Sequence, residues 1–171
     1  MNFFNSIAFS IIQKLTQAGK TLSTAESCTG GLIASSITDV SGSSKIFLGG
    51  MIVYATEMKL RLLGVSKEVL YYGVISSQMA SEMGLKIKAL TGSDYSIATT
   101  GNLGPDVMEG KPRGLIYIAV ATPEKVYVKE LNLQGDRVSN KTKATEEALK
   151  FLLEVLNEAD TWGYKKRDWK T

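Results

Sequence analysis

The chain has 171 residues, which is the size of one domain with enough interior to form a core without disulfides. Hydrophobic residues make up 44% and charged residues 22%, a composition that excludes a disordered or a membrane protein. Histidine is absent, which excludes Ser-His-Asp and Cys-His catalysis and any metal site built on imidazole. The single cysteine excludes an internal disulfide and a thiolate cluster, so we expect a metal-free protein in the reducing cytoplasm.

The charge balance bears on partners. Twenty basic and seventeen acidic residues give a net charge of +3, spread along the chain, so we expect no nucleic-acid partner. No apolar run is long enough to span a bilayer, so we expect no membrane partner. One basic cluster, residues 165–167, lies with Trp162, Tyr164 and Trp169 in a tail that we interpret as solvated or docked. We expect a single domain over residues 1–171, with its core at about 4–157 and the tail at 158–171.

The first half of the chain predicts two helices and two strands. The N-terminal stretch lacks a basic region and a cleavage site, and its apolar residues fall at helical spacing, so we expect an amphipathic helix rather than a signal peptide. Gly19 ends that helix, and residues 20–25 form a strand. Another helix reaches about Thr38. The apolar run from residue 46 to 54 predicts a buried strand with a bulge or a close backbone approach at Gly49 and Gly50.

The second half continues the alternation of helices and strands. It predicts helices over residues 56–63, 76–90 and about 139–156, and strands over residues 95–100, 115–122 and 125–133. Only Pro123 and Glu124 separate the last two strands, so these should form an antiparallel hairpin. This order favours an α/β layered fold with a mixed sheet.

The strongest local motif is Glu-Ser-Cys-Thr-Gly-Gly at residues 26–31. A strand-to-helix turn of this kind exposes a hydroxyl, presents free amides and lies at the positive end of a helix dipole, so it suits an oxyanion or a phosphate. A plain helix cap with glycines for packing explains the same residues. The motif is neither a Walker A loop nor a dinucleotide-binding glycine pattern.

A nucleophilic Ser27 needs a base, and without histidine the choices are lysine, tyrosine or a carboxylate. Lys59 and Tyr54 follow a strand, at the end where sheet ligands usually bind. Lysine acts as a base only where its pKa falls from about 10.4 toward the working pH. Local spacing also suits a solvated Lys59 on a short helix. Cys28 is an alternative nucleophile, although a lone cysteine usually packs as a small apolar residue.

Two further segments could contact a ligand. Residues 99–105 leave a strand through glycine and proline and suit a ligand wall. Arg137, just before the last predicted helix, could hold a phosphate through two hydrogen bonds or could form a surface ion pair.

Taken in order, these segments resemble a known family. The stretch Ala-Glu-Ser-Cys-Thr-Gly-Gly-Leu at residues 25–32, Tyr54 with Lys59, the Thr-Gly and Gly-Pro pairs at residues 100–105, and Gly-Asp-Arg at residues 135–137 match the C-terminal domain family of the competence/damage-inducible protein CinA. The resemblance spans about residues 4–157, and its first motif is highly specific.

The resemblance implies a three-layer α/β/α sandwich with a mixed, mostly parallel sheet, and an enzyme that deamidates nicotinamide mononucleotide to nicotinate mononucleotide and ammonia without a cofactor. It implies Ser27 as the nucleophile, Lys59 as its base and Tyr54 as a proton relay. It assigns substrate binding to the backbone around the nucleophile, to the second loop and to one arginine: Cys28, Thr29, Gly30, Gly31, Thr100, Gly101, Asn102, Gly104 and Arg137.

One segment departs from the family pattern. Asn102 and Leu103 replace a small pair, and residues 106–109 replace a glycine-rich stretch, which places Asp106 and Glu109 where a phosphorylated substrate would bind. Two other functions therefore stay open: a non-catalytic nucleotide-binding module that diverged over residues 102–110, and a structural subunit. As partners we expect a small pyridine nucleotide and a second copy of the chain in a homo-oligomer.

Overall fold

A computed structural model describes the backbone of residues 3–167 and the side chains of residues 5–158. Its helices and strands in chain order are α1 (Phe3–Ala18), β1 (Leu22–Glu26), α2 (Leu32–Thr38), β2 (Phe47–Ile52), α3 (Thr56–Arg61), α4 (Ser77–Thr91), β3 (Tyr95–Gly101), β4 (Leu115–Ala121), β5 (Val126–Asn132) and α5 (Arg137–Arg167). Short 3-10 helices at Ser43–Lys45 and Glu68–Tyr72 were not predicted. The last helix begins earlier and ends later than predicted, and the basic and aromatic side chains of the tail lie outside the described ones.

The strands form one five-stranded mixed sheet in the order β2-β1-β3-β4-β5. Strand β1 is parallel to both β2 and β3, whereas β4 is antiparallel to β3 and to β5. Four strands therefore point one way and β4 points the other. The predicted hairpin of β4 and β5 and the mixed, mostly parallel sheet are confirmed.

Helices cover both faces of the sheet. On one face α1, α2 and α5 enclose a core that includes Ile11, Ile33, Ile97 and Leu149. On the other face α4 packs on the small residues Ala25, Ala98 and Ala119. The three-layer α/β/α arrangement is confirmed. No helix among the described residues is long and apolar enough to cross a bilayer.

The prediction of a buried β2 is wrong. This strand lies at the edge of the sheet and pairs only with β1, so its side chains alternate between half-buried and exposed. The predicted irregularity is present, because the pairing with β1 slips by one residue at Leu48. Gly50 lies against Thr24, and a Cβ atom there would come within 2.2 Å of the Thr24 hydroxyl, so a larger residue would not fit.

The connections between the strands place several loops at one end of the sheet, the edge at which strands β1, β2, β3 and β5 terminate. From β1 to β2 the chain passes through α2 on one face, and from β2 to β3 it passes through α4 on the other. Because β1, β2, β3 and β5 all point the same way, their carboxyl ends share that edge. Ligands of open α/β sheets bind at such a reversal of connections, which here lies at the end of β1.

Candidate active site

The loop that follows β1 carries Ser27 at the centre of this edge. The Ser27 amide donates to the Thr99 carbonyl on β3 at 3.1 Å, and the Ser27 carbonyl accepts from the Gly30 amide at 3.1 Å. Ser27 is 8% exposed, so its hydroxyl lies below the protein surface. Backbone hydrogen bonds from both sides thus fix the position of the hydroxyl.

A buried carboxylate, Glu26, occupies the N-terminus of α2. It accepts hydrogen bonds from the amides of Gly31 at 2.9 Å, Ile33 at 3.1 Å and Ala34 at 2.8 Å, and from the Thr29 hydroxyl at 2.7 Å. A carboxylate there also complements the helix dipole. The protein's own anion therefore occupies these three amides, so an oxyanion or a phosphate would have to bind amides that precede them in the loop.

Lys59 reaches back from α3 to Ser27. Its Nζ lies 3.0 Å from the Ser27 Oγ, 2.9 Å from the Val53 carbonyl oxygen and 3.1 Å from the Tyr54 carbonyl oxygen. The residue is 2% exposed, so the interpretation of Lys59 as a solvated residue is wrong. Burial lowers the pKa of Lys59 to about 8, because the charged form loses its hydration. With this pKa, about one tenth of Lys59 is neutral at pH 7 and about half at pH 8.

Cys28 points into the protein instead of toward the serine hydroxyl. Its side chain is part of the core between the sheet and helices α1, α2 and α5. Burial raises the pKa of the Cys28 thiol to about 12, while a hydrogen bond with Thr99 and the charge of Lys59 act in the opposite direction. A thiol in this state is a poor nucleophile, since the thiolate is the reactive form.

The amides of the loop differ in what they can still bind. Those of Gly30 and Gly31 are used by the Ser27 carbonyl and by Glu26. Those of Cys28 and Thr29 donate to no other residue in the part of the chain that is described. Of the amides of residues 28–31, only the two that directly follow Ser27 are free to hold an oxyanion within the described part of the chain.

The geometry separates Tyr54 from the serine and the lysine. The Tyr54 side chain is 57% exposed and its hydroxyl accepts a hydrogen bond from Nη2 of Arg137, whereas its backbone carbonyl accepts from Lys59. Nη1 of Arg137 donates to the Gly104 carbonyl at 2.7 Å. The expected proton relay through the phenol is not supported, because that hydroxyl faces Arg137.

The second loop uses most of its polar side chains internally. The Thr100 hydroxyl donates to the Val74 carbonyl at 2.6 Å, and the buried Asn102 amide binds backbone groups of Met108 and Lys111. A Cβ atom on Gly101 would collide with the backbone of β4. The side chains of Thr100 and Asn102 therefore hold the loop, and only backbone groups remain for a substrate.

The two acidic residues of this loop have different surroundings. The Glu109 carboxylate accepts from the amides of Val74 at 2.7 Å and Ile75 at 3.3 Å and pairs with Lys111 at 2.9 Å. These contacts hold the pKa of Glu109 below its usual range despite partial burial. Glu109 therefore binds the segment just before α4, whereas the Asp106 side chain is exposed.

Sequence reasoning did not single out Lys141, which lies beside the Ser27 loop. A Cβ atom on Gly30 would come within 3.3 Å of the Lys141 Nζ, so the ammonium group lies directly against the loop. Lys141 is four residues after Arg137, and residues at that spacing share one face of a helix. That spacing is the sequence signal that could have found it. The capping role of Glu26 left no such signal.

The family model described as the CinA C-terminal domain matches residues 4–156. The chain belongs to the CinA C-terminal domain family. Its fold resembles the crystal structure of competence damage-inducible protein A from Klebsiella pneumoniae, with a TM-score of 0.88 and 30% identity over 91% of this chain and 98% of that one. The expected family is therefore confirmed.

Two curated relatives of this chain are longer than it is. A competence-damage inducible protein of Thermoanaerobacter pseudethanolicus is 46% identical over 149 residues, which are 85% of this chain and 36% of that protein. A CinA-like protein of Flavobacterium psychrophilum is 42% identical over 140 residues, which are 81% of this chain and 34% of that protein. The chain thus spans about a third of the length of the curated relatives that it matches.

Proposed function

We propose that this chain is an amidohydrolase that converts nicotinamide mononucleotide to nicotinate mononucleotide and ammonia, with Ser27 as nucleophile and Lys59 as base. The resemblance to the CinA family supplies the substrate. The observation that carries the mechanism is the 3.0 Å contact between the Lys59 Nζ and the Ser27 Oγ, both buried. A base within about 2.6–3.2 Å of a nucleophile is the arrangement that covalent catalysis needs.

The two carbonyls around Lys59 orient its proton acceptor. A neutral amine has two N–H donors and one lone pair. With the hydrogens directed at the carbonyls of Val53 and Tyr54, the lone pair points at the third neighbour, which is Ser27. In this state the serine hydroxyl donates to Lys59 and can lose its proton to it. Lysine thereby takes the part that histidine has in the more common serine hydrolases.

The reaction then proceeds through an acyl-enzyme. As Lys59 removes the proton, the Ser27 oxygen bonds to the carboxamide carbon, and the developing oxyanion lies near the free amides of Cys28 and Thr29. The protonated Lys59 returns the proton to the leaving nitrogen, and ammonia departs. The same lysine then takes a proton from water, whose oxygen bonds to the ester carbon. As the bond from that carbon to the Ser27 oxygen breaks, Lys59 returns the proton to Ser27 and the carboxylate departs. No metal or cofactor enters any step.

Recognition of the nucleotide falls to groups around this pair. Arg137 is held by Gly104 and Tyr54 and has the planar geometry that suits a phosphate. Tyr54 then acts as a positioning residue for Arg137. The backbone of residues 100–104 lies at the carboxyl end of β3, next to the Ser27 loop, where it can line the ribose and the pyridine ring.

The test is ammonia release from nicotinamide mononucleotide by the wild type and by Ser27→Ala, with the exposed Ser44→Ala as the matched control. We expect the wild type and the control to release ammonia and Ser27→Ala to lose at least about 10³-fold in rate with an unchanged circular dichroism spectrum. A Ser27→Ala variant as active as the control would contradict the mechanism. If calorimetry shows that the nucleotide binds while no ammonia is released, the protein is a non-catalytic nucleotide-binding module and not an amidohydrolase.

A further inference from the structure

Two cations on the first turns of α5 have no acidic partner among the residues whose side chains are described. Within the part of the chain that the structure describes, Arg137 donates only to the Gly104 carbonyl and the Tyr54 hydroxyl, both of which are neutral. Lys141 lies against Gly30 of the Ser27 loop and forms no ion pair with any residue whose side chain is described. Their spacing of four residues places the two side chains on one face of the helix.

Other lysines near this helix behave differently. Lys143 and Lys150 on α5 pair with Glu146 and Glu147, and Lys129 on β5 also pairs with Glu147. Acidic partners are therefore close at hand on the same helix. The face that carries Arg137 and Lys141 has none within three or four residues of Lys141, where Arg137, Val138, Ala144 and Thr145 occur.

The other anion site of this edge is already filled. The N-terminus of α2 would attract a phosphate, but the Glu26 carboxylate accepts three of its amide hydrogens. A second anion placed there would meet that carboxylate. A substrate phosphate is therefore directed away from α2 and toward the unpaired cations of α5.

The close approach of Lys141 to the loop occurs at a glycine. Gly30 has a φ of +61° and no side chain, and it lies next to the Lys141 Nζ. The turn that presents Ser27 thus also makes room for the ammonium group at the rim of the site. A ligand whose carboxamide carbon lies at Ser27 would contact Lys141 through a group farther from that carbon.

We propose that Lys141, together with Arg137, binds the phosphate group of the substrate and selects phosphate monoesters over the corresponding nucleosides. This inference rests on the proposed function for its choice of substrates. The ammonium supplies a point charge and the guanidinium a planar pair of donors, a combination suited to a dianionic phosphate. Lys141 is thus a specificity-determining residue that takes no part in the proton transfers.

The experiment measures kcat/KM for ammonia release from nicotinamide mononucleotide and from nicotinamide riboside, which lacks the phosphate. We expect Lys141→Gln to lower the ratio of the two constants by about tenfold, since a hydrogen bond to a charged group contributes about that much. Lys143→Gln on the same helix is the matched control and should keep the wild-type ratio. A wild-type ratio in Lys141→Gln would overturn the inference.

A binding measurement separates this inference from the proposed function. Ribose 5-phosphate carries the phosphate without the carboxamide, so its affinity by titration calorimetry does not depend on catalysis. We expect Lys141→Gln to weaken its binding about tenfold relative to the wild type and to Lys143→Gln. Weakened binding in a protein that releases no ammonia would retain the phosphate site and reject the amidohydrolase. Equal affinity in all three proteins would reject the phosphate site.

Discussion

Two regions at the same edge of the sheet use lysine in opposite ways. Lys59 is 2% exposed, touches Ser27 and two carbonyls, and has a pKa lowered to about 8 by burial. Lys141 lies at the rim of the same loop, in partial contact with water and next to the exposed Arg137. Neither lysine forms an ion pair within the described side chains. The two lysines differ in burial and not in residue type, and burial is what would suit one to act as the proposed base and the other as the proposed anion ligand.

Burial destabilises the charged form of Lys59, whereas Lys141 is partly exposed. A cation without an acidic partner is expensive to bury and favours its neutral form, which is the form that can accept a proton from serine. At the rim, water solvates the charge until an anionic ligand replaces that water. We therefore expect substitutions in the pair Ser27–Lys59 to change the chemical step and substitutions in the pair Arg137–Lys141 to change binding.

After Ser27→Ala, the largest effect is expected from Lys59→Met, which keeps the length of the side chain and removes the amine. It should lower the rate of ammonia release by about 10²- to 10⁴-fold, because general base catalysis contributes that much. Single-turnover kinetics measure the rate, and the exposed Lys67→Met is the control. A loss of less than about tenfold would remove Lys59 from the chemistry.

Glu26→Ala tests whether the Ser27 loop is as firmly fixed as its hydrogen bonds indicate. It leaves one hydroxyl and three amides without their acceptor, so the free energy of unfolding should fall by about 3 kcal/mol or more. Urea denaturation measures it. Glu57→Ala removes only an exposed pairing with Arg61 and should stay within about 0.5 kcal/mol. Equal losses in the two variants would contradict the account of the loop.

The lowered pKa of Lys59 also predicts a pH-dependent stability. Because the folded protein binds this proton more weakly than the unfolded chain, the free energy of unfolding should rise with pH between about 8 and 10.5. The rise amounts to about 3 kcal/mol, at about 1.4 kcal/mol for each unit of pKa. Denaturation of the wild type relative to Lys59→Met over this range isolates it from other lysines. A difference in the free energy of unfolding that stays the same across this pH range would contradict the lowered pKa of Lys59.

The smallest effect is expected from Tyr54→Phe. The phenol hydroxyl accepts from Arg137, so its loss should raise KM for the mononucleotide about threefold, as one weak hydrogen bond allows. Steady-state ammonia release separates KM from kcat. A tenfold fall of kcat at constant KM would instead restore Tyr54 as a proton relay and break the division between the two regions.

Local patterns predicted most of the fold. Periodicity placed α1 and α4, and the two residues between β4 and β5 predicted their antiparallel pairing. The buried state expected for β2 was wrong because an apolar run does not reveal that its strand has only one neighbour. Edge and centre are decided by the order of strands, which depends on contacts between segments far apart in the chain.

The candidate site was only partly predictable for the same reason. The motif around Ser27 was evident, and the absence of histidine directed attention to lysine. Local spacing could not show that Lys59 is buried, because that depends on how α3 folds back over the end of β1. It also could not show that Glu26 fills the N-terminus of α2 or that Lys141, more than a hundred residues later, lies against Gly30.

The most direct test of the Ser27–Lys59 pair is the pH dependence of kcat/KM for ammonia release from nicotinamide mononucleotide. The base must be neutral, so the constant should rise about tenfold per pH unit and level off near pH 8, where the pKa of Lys59 lies. A constant kcat/KM from about pH 6 to 9 would contradict the claim that a buried lysine activates the serine.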